Sequence, residues 1–528
     1  MVNRLFSSTP KRASLGGAAA LLIGVALMGQ ALGFLRNRLI STNFTVVDPG
    51  SSDAFFAAFQ IPDFFFYTIS AGALGVAFIP FLSDRLANGD KKGVWQLASS
   101  LLNVLLLVMG AVSIIILLFA EPLMGALAPD LPQENFNQAV TIMRIIAFNP
   151  LLFALSGILT SVQQTFGRFF FYAMAPLFYN VSIIISVYVF RDNIGIIGLG
   201  IGALFGGILQ LSVACLGLIG LGFRYKPTIA WKNANFRHMV RQLPPRSLDQ
   251  GIDQVNSIVE VNRAQALGVG PVSFYNFALT LQNVPIMLVG NAIAIAAFPR
   301  LTERLSQGRP DLFRKDFLQI LRAMIWMTMP VVVVGYFSRG YLARLIFGDV
   351  APEVALIFGY LTASIFFRII YSMLSRYFYA HKDTKTPLFV SVFAIGLNIY
   401  LAFTLARADA YGIAGLAMAQ SITAATEVGI LFLIILSRDF KLFDAKFWGG
   451  IVKILSVTGF SIVTAYVMVS FFPLTTADRG IVTLGSKLGL IGLSTLLVHT
   501  SISALFGLEE AKNVLTKAKQ FIWRPVKV

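Results

Sequence analysis

Between Leu15 and Met28 the chain is almost unbroken apolar sequence, and similar runs recur with centres near residues 70, 110, 153, 180, 208, 255, 287, 325, 363, 396, 424, 460 and 493. A helix needs about 20 apolar residues to cross a bilayer, so this pattern predicts fourteen membrane-spanning helices. The first run follows Arg4, Lys11 and Arg12 and precedes Ala31-Leu32-Gly33, which has the outline of a cleavable signal peptide. With so many runs behind it, a retained first helix explains the same residues with less assumption. Composition agrees: 56% of the 528 residues are hydrophobic, 13% are charged, and mean hydropathy is +0.75, whereas a soluble chain carries about 25% charge. An all-α polytopic membrane protein is predicted, with no room for a large soluble enzyme domain. Its single cysteine, Cys215, excludes a disulfide framework and a cysteine metal site, and His238, His381 and His499 are too scattered for a zinc cluster. The net charge of +17 suits basic loops beside anionic lipid headgroups, so membrane lipids are expected as partners and nucleic acid is not.

Loop charge sets the expected orientation. Lys and Arg gather at the amino terminus, near 84–94, 168, 223–246, 300–316, 376–386 and 438–446, and in the C-terminal tail. The stretch after Glu121, which holds Asp130 and Glu134, has none until Arg144. Both termini are therefore expected in the cytoplasm, as an even number of spans requires. Internal repetition supplies the next level. Ile79-Pro80-Phe81-Leu82-Ser83-Asp84-Arg85-Leu86 returns 219 residues later as Phe298-Pro299-Arg300-Leu301-Thr302-Glu303-Arg304-Leu305. Ala175-Pro176-Leu177-Phe178 returns as Thr386-Pro387-Leu388-Phe389, and Gly195-Ile196-Ile197-Gly198-Leu199 as Gly412-Ile413-Ala414-Gly415-Leu416. The echoes in one order predict two pseudo-symmetric six-helix lobes, 1–225 and 226–440, then two added helices in 441–506 and a basic cytoplasmic tail, 507–528.

Ionisable groups inside spans cost a few kcal/mol unless hydrated or paired, so each is a functional candidate. The seventh span carries Asp249, Asp253, Asn256, Glu260 and Arg263 on one helical face after Pro244-Pro245-Arg246. That face is expected to line a hydrated cavity, the alternative being an internal pair of Glu260 with Arg263. Arg36, Arg38, Asp53, Gln60 and Asp63 lie in or beside the first two spans, where Asp53 would also suit a helix cap and Pro62 a kink. Arg144 and Arg368 lie deep in apolar sequence, and Glu427 is a further isolated charge. Lys453 and Lys487 are close enough to span ends to snorkel. Gly198, Gly202 and Gly206, spaced by four, are a packing signal. No phosphate-binding loop, kinase set or hydrolase elbow is present. Transport driven by a gradient is expected, not catalysis.

These residues resemble the MurJ (MviN) lipid II flippases of the multidrug/oligosaccharidyl-lipid/polysaccharide exporter superfamily. The likeness covers nearly the whole chain and is carried by Leu32-Gly33-Phe34-Leu35-Arg36, Ser52-Asp53-Ala54-Phe55-Phe56 with Ile61-Pro62, Ala77-Phe78-Ile79-Pro80, Leu243-Pro244-Pro245-Arg246, Asp253-Gln254-Val255-Asn256 and Phe298-Pro299-Arg300-Leu301. It implies two lobes around a central cavity, a groove on the two added helices for an undecaprenyl tail, and export of lipid-linked peptidoglycan precursor by alternating access. Of the four cavity arginines typical of the family, Arg36 is retained, while Gln30, Phe66 and Thr280 stand at the other positions. Either arginines elsewhere restore the positive charge, or the cargo is another polyprenyl-linked glycan; an ion-coupled drug antiporter and a non-transporting scaffold are the further alternatives. The expected substrate contacts are Arg36, Asp53, Arg144, Arg246, Asp253, Asn256, Arg263 and Arg368, with Glu260 and Asn398 coupling to sodium or a proton. No metal or other cofactor is expected. The resemblance further implies the bacterial cytoplasmic membrane, an undecaprenyl-diphosphate-linked glycan as cargo and contacts with cell-wall synthesis proteins.

Overall fold

The computed structural model describes residues 15–46, 51–71, 78–232, 236–237, 240 and 243–512. Arg4, Lys11, Arg12, His238, Arg241 and the tail from 513 onward lie outside the described residues, as do the side chains of Arg246 and Asp249. The chain is an all-helical membrane protein. Eleven helices among the described residues are long and apolar enough to cross a bilayer. As far as they are described, the apolar runs named above fall within helix; those at Leu15–Met28 and near residues 70 and 255 are not among the eleven. By packing, the chain divides into two compact units, Met1–Ser273 and Phe274–Val528. The sequence repeat is a different division, since it relates copies of a motif and not the helices that touch.

In the first unit the elements are α1 (Leu15–Asn43), α2 (Asp53–Phe65) continued by a π-helical turn (Phe66–Ala71), α3 (Ile79–Ala87), α4 (Lys91–Leu127), α5 (Gln133–Ile146), α6 (Asn149–Thr165), α7 (Phe169–Phe190), α8 (Ile197–Leu216) and α9 (Leu243–Gln265). Proline shapes several of them. Pro62 is buried inside α2 and the helix widens four residues later, while α4 has a non-helical residue at Phe119, three residues before Pro122. Each proline removes one backbone donor and crowds the preceding turn, so the break is local and the apolar run continues through it. The glycine stripe behaves as its spacing predicts. A Cβ at Gly202 would overlap Ser186, and one at Gly206 would lie 3.1 Å from the Tyr179 backbone. Without those side chains α8 lies directly on α7, which in turn packs against α1.

The second unit holds α10 (Pro271–Pro285) from Phe274 onward, its own π-helical turn (Ile286–Asn291), α11 (Ala292–Ser306), α12 (Pro310–Phe337), α13 (Arg339–Phe347), α14 (Ala351–Ala380), α15 (Lys385–Leu405), α16 (Ala414–Arg438), α17 (Ala445–Phe471) and α18 (Gly480–Leu505). α16 packs against both α14 and α15, and the α17–α18 pair against α12. A buried polar seam joins that last group. The Trp326 indole donates to Ser503 Oγ at 2.8 Å, and Ser461 Oγ lies 2.9 Å from His499 Nδ1. Lys453 and Lys487 reach backbone carbonyls of Phe506 and Pro473, beside the ends of their spans. Lys487 also holds Asp478, in the α17–α18 connection, below the usual carboxylate range.

The two copies of the repeated motif share local features. The Ile79-Pro80 and Phe298-Pro299 segments each lie beyond a π-helical turn, at 66–71 and 286–291. Gly195 and Gly412 each carry positive φ, 59° and 54°, and α8 and α16 begin two residues after them. Gly198 and Gly415 then face the end of the preceding helix, where a Cβ would overlap the Phe190 side chain or the Leu405 carbonyl. A backbone carbonyl cannot swing aside as a side chain can. Gly415→Ala is therefore expected to destabilise the protein by about 1–3 kcal/mol, seen as earlier thermal unfolding in detergent. Gly429→Ala on the same helix, where nothing lies within 4 Å, should unfold like the unmodified protein.

Candidate polar site in the N-terminal unit

Arg36 and Arg38 are the two cations of α1, both half-buried; Arg36 is the one whose side chain reaches α7. Its guanidinium donates from Nη1 to Asn180 Oδ1 on α7 at 3.0 Å and from Nε to Asn37 Oδ1 at 3.2 Å. Asn37 is itself buried, so the arginine is held from two sides. Beside it, Gly206 lets α8 close on the backbone of Tyr179, the neighbour of Asn180. Arg36, Asn37 and Asn180 therefore form one hydrogen-bonded group, with Tyr179 beside Asn180 on α7.

Aromatic rings form a wall beside this group. Phe66 packs edge-on against Phe153, with centroids 5.7 Å apart, and Phe153 packs edge-on against Tyr179 at 5.1 Å. At Phe66, where the resemblance implies an arginine, the side chain makes an apolar ring contact. Asp63 sits three residues before it on α2.

α9 brings its polar face to the same unit. Ser257 Oγ donates to Gln60 Oε1 at 3.0 Å, and Gly251 lets the helix approach Thr68, which a Cβ would meet at 2.9 Å. Lower contacts fix its far end: Asn262 donates to the Leu127 carbonyl at 2.9 Å, and Gln265 Oε1 accepts from the Asp130 N–H at 3.2 Å. Of the polar face read from sequence, Asp253 is exposed, Asn256 and Arg263 are half-buried, and Glu260 is 5% exposed. Asn256 donates to Glu260 Oε1 at 3.0 Å, an i, i+4 contact on the helix surface.

The remaining candidates lie elsewhere. Asp53 is fully buried, and it does not cap its own helix: its carboxylate accepts from the Gly270 N–H at 2.7 Å, the Ser273 N–H at 2.8 Å and Ser273 Oγ at 2.5 Å. Arg144 is in the last turn of α5, half-exposed and 3.9 Å from Glu121 of α4. Arg368 and Asn398 belong to the second unit, where Arg368 is exposed on α14 and Asn398 is buried on α15, accepting from Thr423 at 3.4 Å. Sequence reasoning missed Tyr179 and Asn180. Their only signal is a polar pair inside the apolar run Phe169–Phe190.

A family model described as lipid II flippase MurJ matches residues 49–483. Among curated relatives, the probable lipid II flippase MurJ of Borreliella burgdorferi is 24% identical over 451 residues, covering 84% of this chain and 86% of that protein. That of Vibrio cholerae is 26% identical, covering 77% and 80%. Among solved structures, a lipid II flippase MurJ in an inward closed conformation has the same fold, with TM-score 0.75 and 24% identity over 92% of this chain and 98% of that one. An inward-facing multidrug resistance MATE family transporter of the MOP superfamily superposes with TM-score 0.67 at 15% identity, over 80% and 98%. With the family's model matched along most of its length, the chain belongs to the lipid II flippase MurJ family, whose members are membrane transporters and not enzymes.

Proposed function

We propose that this flippase meets the diphosphate of its lipid-linked peptidoglycan precursor at Arg36 and carries it between leaflets by alternating access. The carrying observation is the guanidinium braced by Asn180 and Asn37 within apolar helices. A diphosphate entering the bilayer loses the water that solvates its charge, and a planar fork of N–H donors replaces part of that solvation. Bracing by two amides lowers the entropy lost when the arginine engages the anion. The half-buried Arg263 on α9 is the second cation this reading assigns to the cargo. Arg144, on the α5 edge beside Glu121, is a weaker candidate.

On this proposal the chain sits in the bacterial cytoplasmic membrane with both termini inside, as the basic connections favour. The undecaprenyl tail follows the groove of α17 and α18, and proteins of cell-wall synthesis supply or receive the cargo. Coupling to sodium or a proton through Glu260 and Asn398 is part of the same proposal. Glu260 holds Asn256, and Asn398 holds Thr423. The experiment is complementation of a bacterium depleted of its own lipid II flippase, read as lipid II accessible from outside the cell. Restored accessibility is expected. Failure with folded protein in the membrane would turn the reading to a different polyprenyl-linked glycan.

A further inference from the structure

On the long helices of the second unit, Arg300, Arg304, Arg314, Arg322 and Arg438 each hold a carboxylate. Arg368 and Arg376 of α14 do not. Among the described residues neither has an ion pair or a hydrogen bond. Arg309 and Arg479, which also lack one, lie in exposed connections between helices. A cation inside a membrane-crossing helix costs a few kcal/mol when nothing answers its charge, and α14 carries two.

Their placement gives them a common direction. Arg376 is half-buried, with its guanidinium carbon 5.4 Å from the centre of the Phe298 ring on α11 and 5.6 Å from that of Tyr379. Rings hold a guanidinium by its face and leave its N–H edge for an anion. Arg368 is exposed and eight residues earlier, about 12 Å along the helix and about 80° around it. The serines between them are otherwise engaged: Ser372 and Ser375 are buried and donate to the Ile369 and Ser372 carbonyls at 2.7 and 3.2 Å. α14 runs antiparallel to α12. Tyr377 packs on Phe313 and Phe317 near the start of α12, and Gly359 faces Arg339 just past its end, where a Cβ would lie 3.0 Å from the arginine side chain. Arg376 is therefore level with the first turns of α12, and Arg368 lies further in. With both termini inside, as proposed above, Arg376 is at the cytoplasmic end.

We propose that Arg376 and Arg368 form a two-step binding track on α14 for a diphosphate headgroup, which Arg376 receives and Arg368 draws inward. Charge matching favours a diphosphate. Two unanswered guanidiniums suit a group with at least two negative charges, whereas the phosphodiester of a bilayer phospholipid carries one. That the headgroup belongs to transported cargo rests on the flippase reading; affinity of these arginines for a diphosphate does not.

The test uses the full chain in nanodiscs of zwitterionic phospholipid and phenylglyoxal, a reagent for accessible guanidinium groups, read at each arginine by peptide mass. Both arginines should be modified, and undecaprenyl diphosphate should protect both where undecaprenol protects neither. An arginine that resists the reagent without ligand, or that the diphosphate leaves unprotected, would overturn the track. Equal protection by phosphatidylglycerol at the same concentration would also overturn it, assigning the pair to bilayer phosphates. Arg368→Gln and Arg376→Gln should each weaken protection of the remaining arginine about tenfold, the loss of one hydrogen bond to a charged group. An unmoved midpoint would show that the two share no ligand. In the flipping assay the double substitution should lower the rate at least about tenfold, and an unchanged rate would remove the transport role. Absence of flipping in the unmodified protein, with protection intact, would count against the flippase reading alone.

Discussion

Arg36→Ala is expected to abolish flipping while the protein remains folded in the membrane. Truncation removes the charge proposed to meet the diphosphate and also the fork held by Asn180 and Asn37. A hydrogen bond to a charged group is worth about 1.5–3 kcal/mol, and in a transition state the upper value corresponds to roughly a hundredfold in rate. With Gln30, Phe66 and Thr280 at the family's other arginine positions, no equivalent cation at those positions takes over. Lipid II accessible from outside a flippase-depleted cell, at matched expression, is the measurement. Arg36→Lys should recover part of the rate, since it keeps the charge and loses the planar fork. Asn180→Ala should have a smaller effect than Arg36→Ala, because it loosens the arginine without removing it. Flipping by Arg36→Ala at the unmodified rate would show that the cargo's charge is met elsewhere.

Positions of the spans could be read from hydropathy because burial in lipid leaves a signal in every residue of a run. The repeat was legible for a related reason. Gly195 and Gly412 are needed for positive φ, and Gly198 and Gly415 for close approach, so both copies keep the same letters where only glycine fits. The π-helical turns at 66–71 and 286–291 left no comparable trace. Six residues are too few to distinguish their period from that of an α-helix. Arg36 could be singled out because a cation in an apolar run is rare, whereas Asn180 and Tyr179 are single polar letters of an ordinary kind. What makes them part of the site is where α7 packs against α1. The direction in which Asp53 points was illegible for another reason, since its partners are more than two hundred residues away in sequence.

Those partners give the second large expected effect. Asp53→Ala should destabilise the protein by about 3–5 kcal/mol, since each buried donor left without an acceptor costs about 1–3 kcal/mol. Two are backbone N–H groups, of Gly270 and Ser273, and the third is the Ser273 hydroxyl. The hydroxyl keeps a neighbour, since Ser273 Oγ also lies 2.7 Å from Ser52 Oγ, so the two amides carry most of the loss. They open the helix that begins at Pro271, where unmatched N–H groups and the positive end of the helix dipole favour a carboxylate. Asp53→Asn keeps one carbonyl oxygen and surrenders the charge, so its loss should be intermediate. Thermal unfolding of the purified proteins in detergent should therefore come latest for the unmodified chain, earlier for Asp53→Asn and earliest for Asp53→Ala. The same measurement decides between the two roles open to this residue. A substrate ligand can be truncated without unfolding its scaffold, so an alanine variant that unfolds at the unmodified temperature yet fails to flip would assign Asp53 to the cargo. The full burial of its carboxyl group among three donors argues for the opposite outcome, in which flipping is lost because the helix start is no longer held.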